Sequence, residues 1–99
     1  MKPIEINDEA AAEGRIAAQW YEDVREGLGV DFRLELKRAF AKIRENPRLY
    51  PSIRGSFHYF ILDRFPYSLI YKELADRIWI AAIKQHKRRS QYWTGRQPE

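Results

Sequence analysis

The sequence predicts an α+β fold: a mainly antiparallel four-stranded sheet with an N-terminal α-helical hairpin on one face, in the order β-α-α-β-β-β. Two observations support this. Apolar residues recur at helical spacing along two segments of the first half, and the period changes to two after residue 56. With 99 residues, the chain is expected to form a single domain, residues 1–99, around a compact core.

The first strand is predicted at Pro3–Ile6, where "IEI" alternates apolar and polar residues. Asn7 or Asp8 can then cap a helix, because either side chain can accept hydrogen bonds from the free N–H groups of the first turn. The apolar positions of this helix recur every four residues, with two more apolar residues beside them, and predict its buried face: Ala12, Ile16, Trp20 and Val24, with Ala17 and Tyr21. The helix is expected to end near Glu26, where "GLG" interrupts it.

A second helix is predicted from Val30 to Glu45. Its apolar stripe has helical spacing: Phe32, Leu36, Ala39, Phe40 and Ile43. The opposite face is charged and should be solvated: Arg33, Lys37, Arg38 and Lys42. The dipeptide Asn46-Pro47 stops the helix, and the short connection between the helices predicts an antiparallel hairpin.

Three strands are predicted in the second half, at Phe57–Leu62, Tyr67–Glu73 and Arg77–Ile83. The last two are separated by the tight turn Leu74–Asp76, which predicts an antiparallel pair. "RIWIAAI" is apolar on both faces, which predicts a central strand covered on each side.

Several classes of protein are made unlikely by composition. The chain has no cysteine, which excludes disulfides and thiolate sites and suits a cytoplasmic location. Neither a secretory leader nor an apolar run long enough to cross a membrane is recognised. Only two histidines, His58 and His86, are present, with no carboxylate cluster near them, so no metal or other cofactor is expected. His58, among aromatic residues of a strand, is interpreted as structural.

Positive charge is concentrated in the second half, which has a net charge of +5 against −1 in the first. Four of the residues from Lys84 to Arg89, here called the basic edge, are cations. Such a patch favours an anionic partner, although a merely solubilising segment has the same composition. Three Trp, six Tyr and five Phe also exceed what a small core encloses. A partner surface beside Trp20 and Tyr21, or along the sheet edge, is one interpretation; a core position is the other, and is preferred for Trp20.

The basic edge follows the predicted central strand directly, so it emerges at one end of the sheet. The connection between the two preceding strands contributes an arginine that can open onto the same face. Cations, a histidine and aromatic rings together can bind phosphates and stack bases. The candidate target-binding residues are therefore Arg64, His86, Lys87, Arg88, Arg89, Tyr92 and Trp93. For His86, a hydrogen-bonded structural role at the strand end is the open alternative.

Several segments of the chain, in this order, resemble those of the ParE/RelE superfamily of bacterial type II toxin–antitoxin toxins, often labelled plasmid stabilisation proteins. The first is "GLGVDFRLELKRAFAKIRENPRLYPSIRG", which is similar to the second-helix segment of ParE-like members with its ENP-x-x-YP ending. The second is "RFPYSLIYKELADRIWIAAIKQHKRRSQYW", which resembles their R-x-P-Y-x-I-x-Y strand, their next strand and the following H-x-R-R. The resemblance covers nearly the whole chain.

The resemblance implies one of two mechanisms. RelE-like members cut mRNA in the ribosome, whereas ParE-like members poison DNA gyrase and are not nucleases. The lysine positions of the nucleases fall near Phe60 and Leu62, and their arginine position falls on Ser68, and none of these side chains can replace a cation or a base. The ParE-like branch is therefore preferred, with no catalytic residues. If the chain were a ribonuclease, the residues would be His86, Arg88 and Tyr92.

The resemblance also implies partners. A cognate antitoxin would neutralise the toxin with a flexible segment that folds on binding. DNA gyrase would be the target, or alternatively the ribosome and its mRNA. A non-catalytic binding module within a protein complex is the third hypothesis.

Overall fold

In a computed structural model, which describes residues 1–99, two helices lie against one face of a five-stranded sheet. The helices are α1 (Asp8–Val24) and α2 (Leu28–Glu45). The strands are β1 (Ile4–Ile6), β2 (Ser52–Arg54), β3 (Phe57–Ile61), β4 (Tyr67–Glu73) and β5 (Ile78–Gln85).

The sheet has the order β1-β5-β4-β3-β2 and is mixed, which corrects the predicted mainly antiparallel four-stranded sheet. Strand β1 pairs in parallel with β5, with Ile4 opposite Ile78, because the helical hairpin returns the chain to the opposite edge of the sheet. The additional strand, β2, pairs with β3 at the other edge. All three of its residues are exposed, so it has no apolar alternation that could have predicted it.

Strand β5 is covered on both faces, as its sequence predicted. Ile78, Ile80 and Ile83 belong to the core between the sheet and the helices. Trp79 and Ala82 belong to a smaller core on the other face, which the C-terminal residues cover. Ile80 and Ile83 lie on the same face although they are an odd number of residues apart. A register shift opposite Ile70/Tyr71 explains this, because one additional β5 residue changes the face that the following side chains occupy.

The helices form the expected antiparallel hairpin, with a close approach at Gly29. A Cβ there would collide with the carbonyl oxygen of Ala18. The Glu22 carboxylate of α1 accepts hydrogen bonds from the backbone N–H groups of Gly27 and Gly29, at 2.9 and 3.0 Å. It thereby caps the start of α2, where the helix dipole favours negative charge. The "GLG" break is confirmed at Gly27, which has a φ of 88°, but Gly29 lies inside α2.

The buried face of α1 matches the predicted one only in part: Ala17 is buried and Tyr21 packs against the core, but the larger side chains are exposed. Ile16, Trp20 and Val24 are 71%, 60% and 60% exposed, so the prediction that Trp20 is core is wrong. The buried positions are small: Ala10, Gly14, Ala17 and Ala18. Small residues let α1 approach α2 and β5 closely, and this packing outweighs burial of the larger side chains.

Of the remaining helix predictions, one is confirmed and one is wrong. The α2 stripe is confirmed, with Phe32 and Ile43 fully buried. The predicted Asn7 cap is wrong: its side-chain amide donates to the Ala81 carbonyl at 3.2 Å instead of accepting from the first turn of α1. Neither helix has the length and apolar character needed to cross a membrane.

Candidate functional site at the basic edge

The basic edge lies where β5 leaves the sheet. The backbone N–H of His86 donates to the Pro66 carbonyl at 2.9 Å, which fixes this point beside the loop between β3 and β4. Beyond it the chain turns back over the second face of the sheet. Lys87 and Arg89 are exposed and make no salt bridge. These two cations are therefore free to meet an anionic surface.

The exposed His86 ring is held by one side chain of the neighbouring strand. Its Nε2 lies 2.8 Å from the Ser68 hydroxyl oxygen, which is buried beside it. Ser68 lies opposite Lys84 near the start of β4, and His86 directly follows the end of β5. This hydrogen bond orients the imidazole, as the structural alternative for His86 anticipated.

A carboxylate from α1 is at the centre of the C-terminal cluster. Glu13 is 12% exposed, and its two oxygens accept five hydrogen bonds. The donors and distances are Arg88 Nη1 at 2.9 Å, Arg96 Nη1 and Nη2 at 3.1 Å each, the Tyr92 hydroxyl at 2.6 Å and the Ile83 N–H at 3.0 Å. Glu13 thus connects α1, β5 and the C-terminal segment.

This cluster limits what Arg88 and Tyr92 can do. The Arg88 guanidinium lies 3.8 Å from the centre of the Tyr92 ring as well as on the Glu13 carboxylate. Burial, and secondarily the hydrogen bond to Glu13, raises the pKa of the Tyr92 hydroxyl above its usual value. Tyr92 therefore remains protonated at neutral pH and cannot act as a base.

Two other candidate residues lie apart from this cluster. Trp93 is 1% exposed and packs in the second core, with its ring centre 5.0 Å from that of Phe57. Its ring therefore cannot stack on a target in this conformation. Arg64 is exposed, but its guanidinium lies 3.5 Å from the Asp31 carboxylate of α2.

The positions that correspond to the nuclease cations have structural neighbours. Phe60 packs edge-on against Tyr50, with centroids 4.8 Å apart, and Leu62 is buried in the main core. Ser68 is occupied with His86. None of these three positions therefore holds a cation.

His58 has the structural role predicted for it. Its Nδ1 lies 2.8 Å from the Tyr50 carbonyl oxygen, and its ring stacks on Tyr71. No group of three His, Cys, Asp or Glu side chains is arranged to hold a metal ion.

Sequence reasoning missed Glu13 and Arg96. Glu13 was one of several acids near the start of α1, and Arg96 stood outside the cationic run. The two residues are 83 positions apart in the chain, so no local pattern identified the pair.

The chain has the fold that the sequence resemblance implied. It is similar to a chain of a solved structure described as "Chromosomal ParDE TA system from P. aeruginosa", with a TM-score of 0.76. The match covers 86% of this chain and 96% of the other, at 16% sequence identity. No family model and no curated protein matches the sequence.

Proposed function

We propose that this chain is the toxin of a type II toxin–antitoxin module, of the ParE-like kind, which inhibits bacterial growth by poisoning DNA gyrase. The observation that carries the proposal is the likeness to a ParDE chain over 86% of the residues. A cognate antitoxin would neutralise it. Both toxin and target would then work in the cytoplasm.

The geometry of the C-terminal cluster favours gyrase poisoning over RNA cleavage. Ribonuclease activity needs a base and a cation that can approach a phosphate and a 2′-hydroxyl. Arg88 and Tyr92 are both engaged by Glu13, and Tyr92 has a raised pKa. A surface that binds without catalysis requires only that some cations remain accessible.

Lys87 and Arg89, with the exposed His86, supply this accessible charge. They would dock on an acidic protein surface or on DNA held by gyrase. The other cations of the candidate site are already paired, since Arg88 is bound to Glu13 and Arg64 to Asp31. Trp93 would act only as core support for the segment.

The test is induction of the chain alone in a bacterial host, with DNA and protein synthesis followed by pulse labelling. Gyrase poisoning predicts that DNA synthesis falls first and that cleaved plasmid accumulates with purified gyrase and ATP. Lys87→Ala/Arg89→Ala should weaken the effect strongly. A matched control, Arg38→Ala/Lys42→Ala, removes the same charge from the solvated face of α2 and should retain activity. Unchanged supercoiling and DNA synthesis at excess chain would reject the proposal.

A ribosome-dependent ribonuclease is the second candidate. It is favoured by one observation, that His86 is exposed while Ser68 orients its ring. If protein synthesis falls first, His86→Ala and Arg88→Ala should each abolish mRNA cleavage. Cleavage that persists in both variants would exclude these roles.

A further inference from the structure

Three large apolar side chains form an exposed ridge along α1. Ile16, Trp20 and Val24 are each more than half exposed, and they recur every four residues, so they lie in one row along the helix. This row, here called the α1 ridge, lies beside the buried face, where the core positions of α1 are taken by small residues. A contiguous apolar patch of this kind on a folded chain is typical of a surface that binds a partner.

Trp20 is held in place by aromatic packing on one side. Its ring meets that of Tyr21 edge-on, with the ring centroids 5.1 Å apart. Tyr21 in turn packs edge-on against the buried Phe65, at 4.8 Å. A large ring that is already positioned loses little conformational freedom when a partner covers its exposed part. Trp20 therefore has the properties of an interface anchor, a role in which tryptophan is enriched.

The α1 ridge borders the basic edge. Ile16 lines a shallow cavity of about 140 Å³ together with Gln85 and Arg88 of the basic edge. Pro66, which directly follows the phenylalanine of the aromatic packing, is exposed, and its carbonyl accepts the backbone N–H of His86 at 2.9 Å. The ridge and the basic edge are thus joined by two separate sets of contacts, and they form one surface.

Charge of one sign is confined to one side of this surface. Lys87 and Arg89 lie beside the Ile16 end of the ridge, exposed and without a salt bridge. The Val24 end has exposed charges of both signs: Asp23, Arg25 and Glu26. A complementary partner therefore has an apolar socket for the ridge and an excess of carboxylates on one side of it only.

The surroundings of Trp20 favour a protein as this partner. The ring has aliphatic side chains one turn away on both sides and the carboxylate of Asp23 three residues on, whereas a phosphate backbone needs cations beside a stacking ring. A second copy of this chain is disfavoured for a different reason. Each copy has a net charge of +4, so two copies repel each other.

We propose that the α1 ridge and the basic edge together dock on a protein surface of the target, with Trp20 as the apolar anchor. Trp20 fills a socket in the target, and Ile16 and Val24 exclude water around it. Lys87 and Arg89 meet carboxylates beside the socket. The identification of this surface with gyrase protein, rather than with the DNA that gyrase holds, rests on the function proposed above.

The experiment measures binding of the full chain to intact DNA gyrase in the absence of DNA. Because the chain has no cysteine, Leu49→Cys supplies a single labelling site at an exposed residue outside this surface, and the fluorescence anisotropy of the label reports binding. Trp20→Ala should weaken binding at least about tenfold. The matched control Leu34→Ala truncates an exposed apolar residue of α2 and should change the affinity less than about twofold.

Two further variants separate the apolar anchor from the charge and from any change in folding. Ile16→Ala/Val24→Ala leaves the packing of Trp20 on Tyr21 intact and should still weaken binding about threefold or more. Lys87→Ala/Arg89→Ala should lose much of its effect as salt rises from about 0.05 to about 0.3 M, whereas the effect of Trp20→Ala should persist, because salt screens charge and not apolar contact. Urea midpoints of all variants are compared with that of the parent.

Three results would overturn the inference. The first is an unchanged affinity for gyrase in both ridge variants while the parent binds. The second is binding of the parent to plasmid DNA alone as tightly as to gyrase. The third is a dimer of the chain, detected by sedimentation, that Trp20→Ala dissociates, because the ridge would then be covered by a second copy.

Failure of this inference is distinguishable from failure of the proposed function. A chain that poisons gyrase equally well with Trp20→Ala retains the function and loses the docking surface. A chain that does not bind gyrase, but stops protein synthesis first and does so only with Trp20 intact, loses gyrase as its target and retains the docking surface. A chain without effect in either assay rejects both.

Discussion

Replacing Glu13 should destabilise the protein more than any other single loss of charge. The carboxylate is 12% exposed and its partner Arg96 is 9% exposed, so Glu13→Ala leaves a desolvated guanidinium whose only other counter-charge is the exposed Glu9 carboxylate, 3.4 Å away. Removing one member of a buried pair costs about 3–5 kcal/mol. The N–H of Ile83 and the hydroxyl of Tyr92 also lose their acceptor. We expect a loss near the lower end, about 3 kcal/mol, because Arg88 is half-exposed and can be rehydrated.

Urea unfolding followed by circular dichroism measures this effect. With a slope of about 1.5 kcal/mol per molar urea, the midpoint should fall by about 2 M without a change in slope. Glu9→Ala is the matched control, since it removes a carboxylate of α1 that is 67% exposed and 3.4 Å from Arg96. It should cost less than about 0.5 kcal/mol.

A double variant separates a lost interaction from a stranded charge. Glu13→Leu/Arg96→Met removes both members of the buried pair and should be more stable than Glu13→Ala, because the guanidinium that remains, that of Arg88, is half-exposed and can be hydrated. The reasoning fails if Glu13→Ala shifts the midpoint no more than Glu9→Ala does. It also fails if the double variant is the least stable of the three.

Two further predictions concern stability alone. Hydrogen bonds from Lys2 and Arg48 lower the pKa of Glu73 below its ordinary 4.5. The ionised group therefore stabilises the fold above that pH, and its contribution is lost as the pH falls through the lowered pKa. The free energy of unfolding of Glu73→Gln, measured from pH 7 to 3, should decline less steeply than that of the parent. Gly29→Ala should reduce the free energy of unfolding by about 1–3 kcal/mol, because the new Cβ meets a backbone carbonyl of α1. Gly95→Ala, with open space around it, should leave the thermal midpoint nearly unchanged. Equal midpoints for the two variants would contradict the close approach of the helices.

The elements with a strong period could be predicted from the sequence, and the pairing of the short ones could not. The α2 stripe and the two-sided burial of β5 follow from spacing, because each side chain's face depends on its own position along the element. Strands β1 and β2 have three residues each, too few to indicate a neighbour or a direction. The parallel pairing of β1 with β5 depends on how the whole hairpin packs, which is a property of the tertiary structure.

The buried face of α1 illustrates a different limit. Both of its faces include apolar residues, one with large side chains such as Trp20 and one with Ala17, Ala18 and Gly14. Hydrophobic spacing alone favours the large residues, since they bury more area. The structure favours the small ones, because only they permit the short distance between α1, α2 and β5.

The position of the cationic run in the fold was predicted from the sequence, but the partners of its individual members were not. The run of cations after β5 does emerge at one end of the sheet, as its position in the sequence indicated. Glu13 then divides these cations into two groups. Arg88, together with the more distant Arg96, is held against a carboxylate and keeps the C-terminal segment folded on the sheet.

Lys87 and Arg89 lie within the same run but have no such partner. An external anion that competed for Arg88 would have to displace Glu13, with the associated loss of stability, whereas one that meets Lys87 and Arg89 displaces only water and counter-ions. Substitutions at Lys87 and Arg89 should therefore change target binding without changing stability, and substitutions at Arg96 should change stability first. Measuring both quantities for both sets of variants separates the surface that we propose for target binding from the ion pairs that support it.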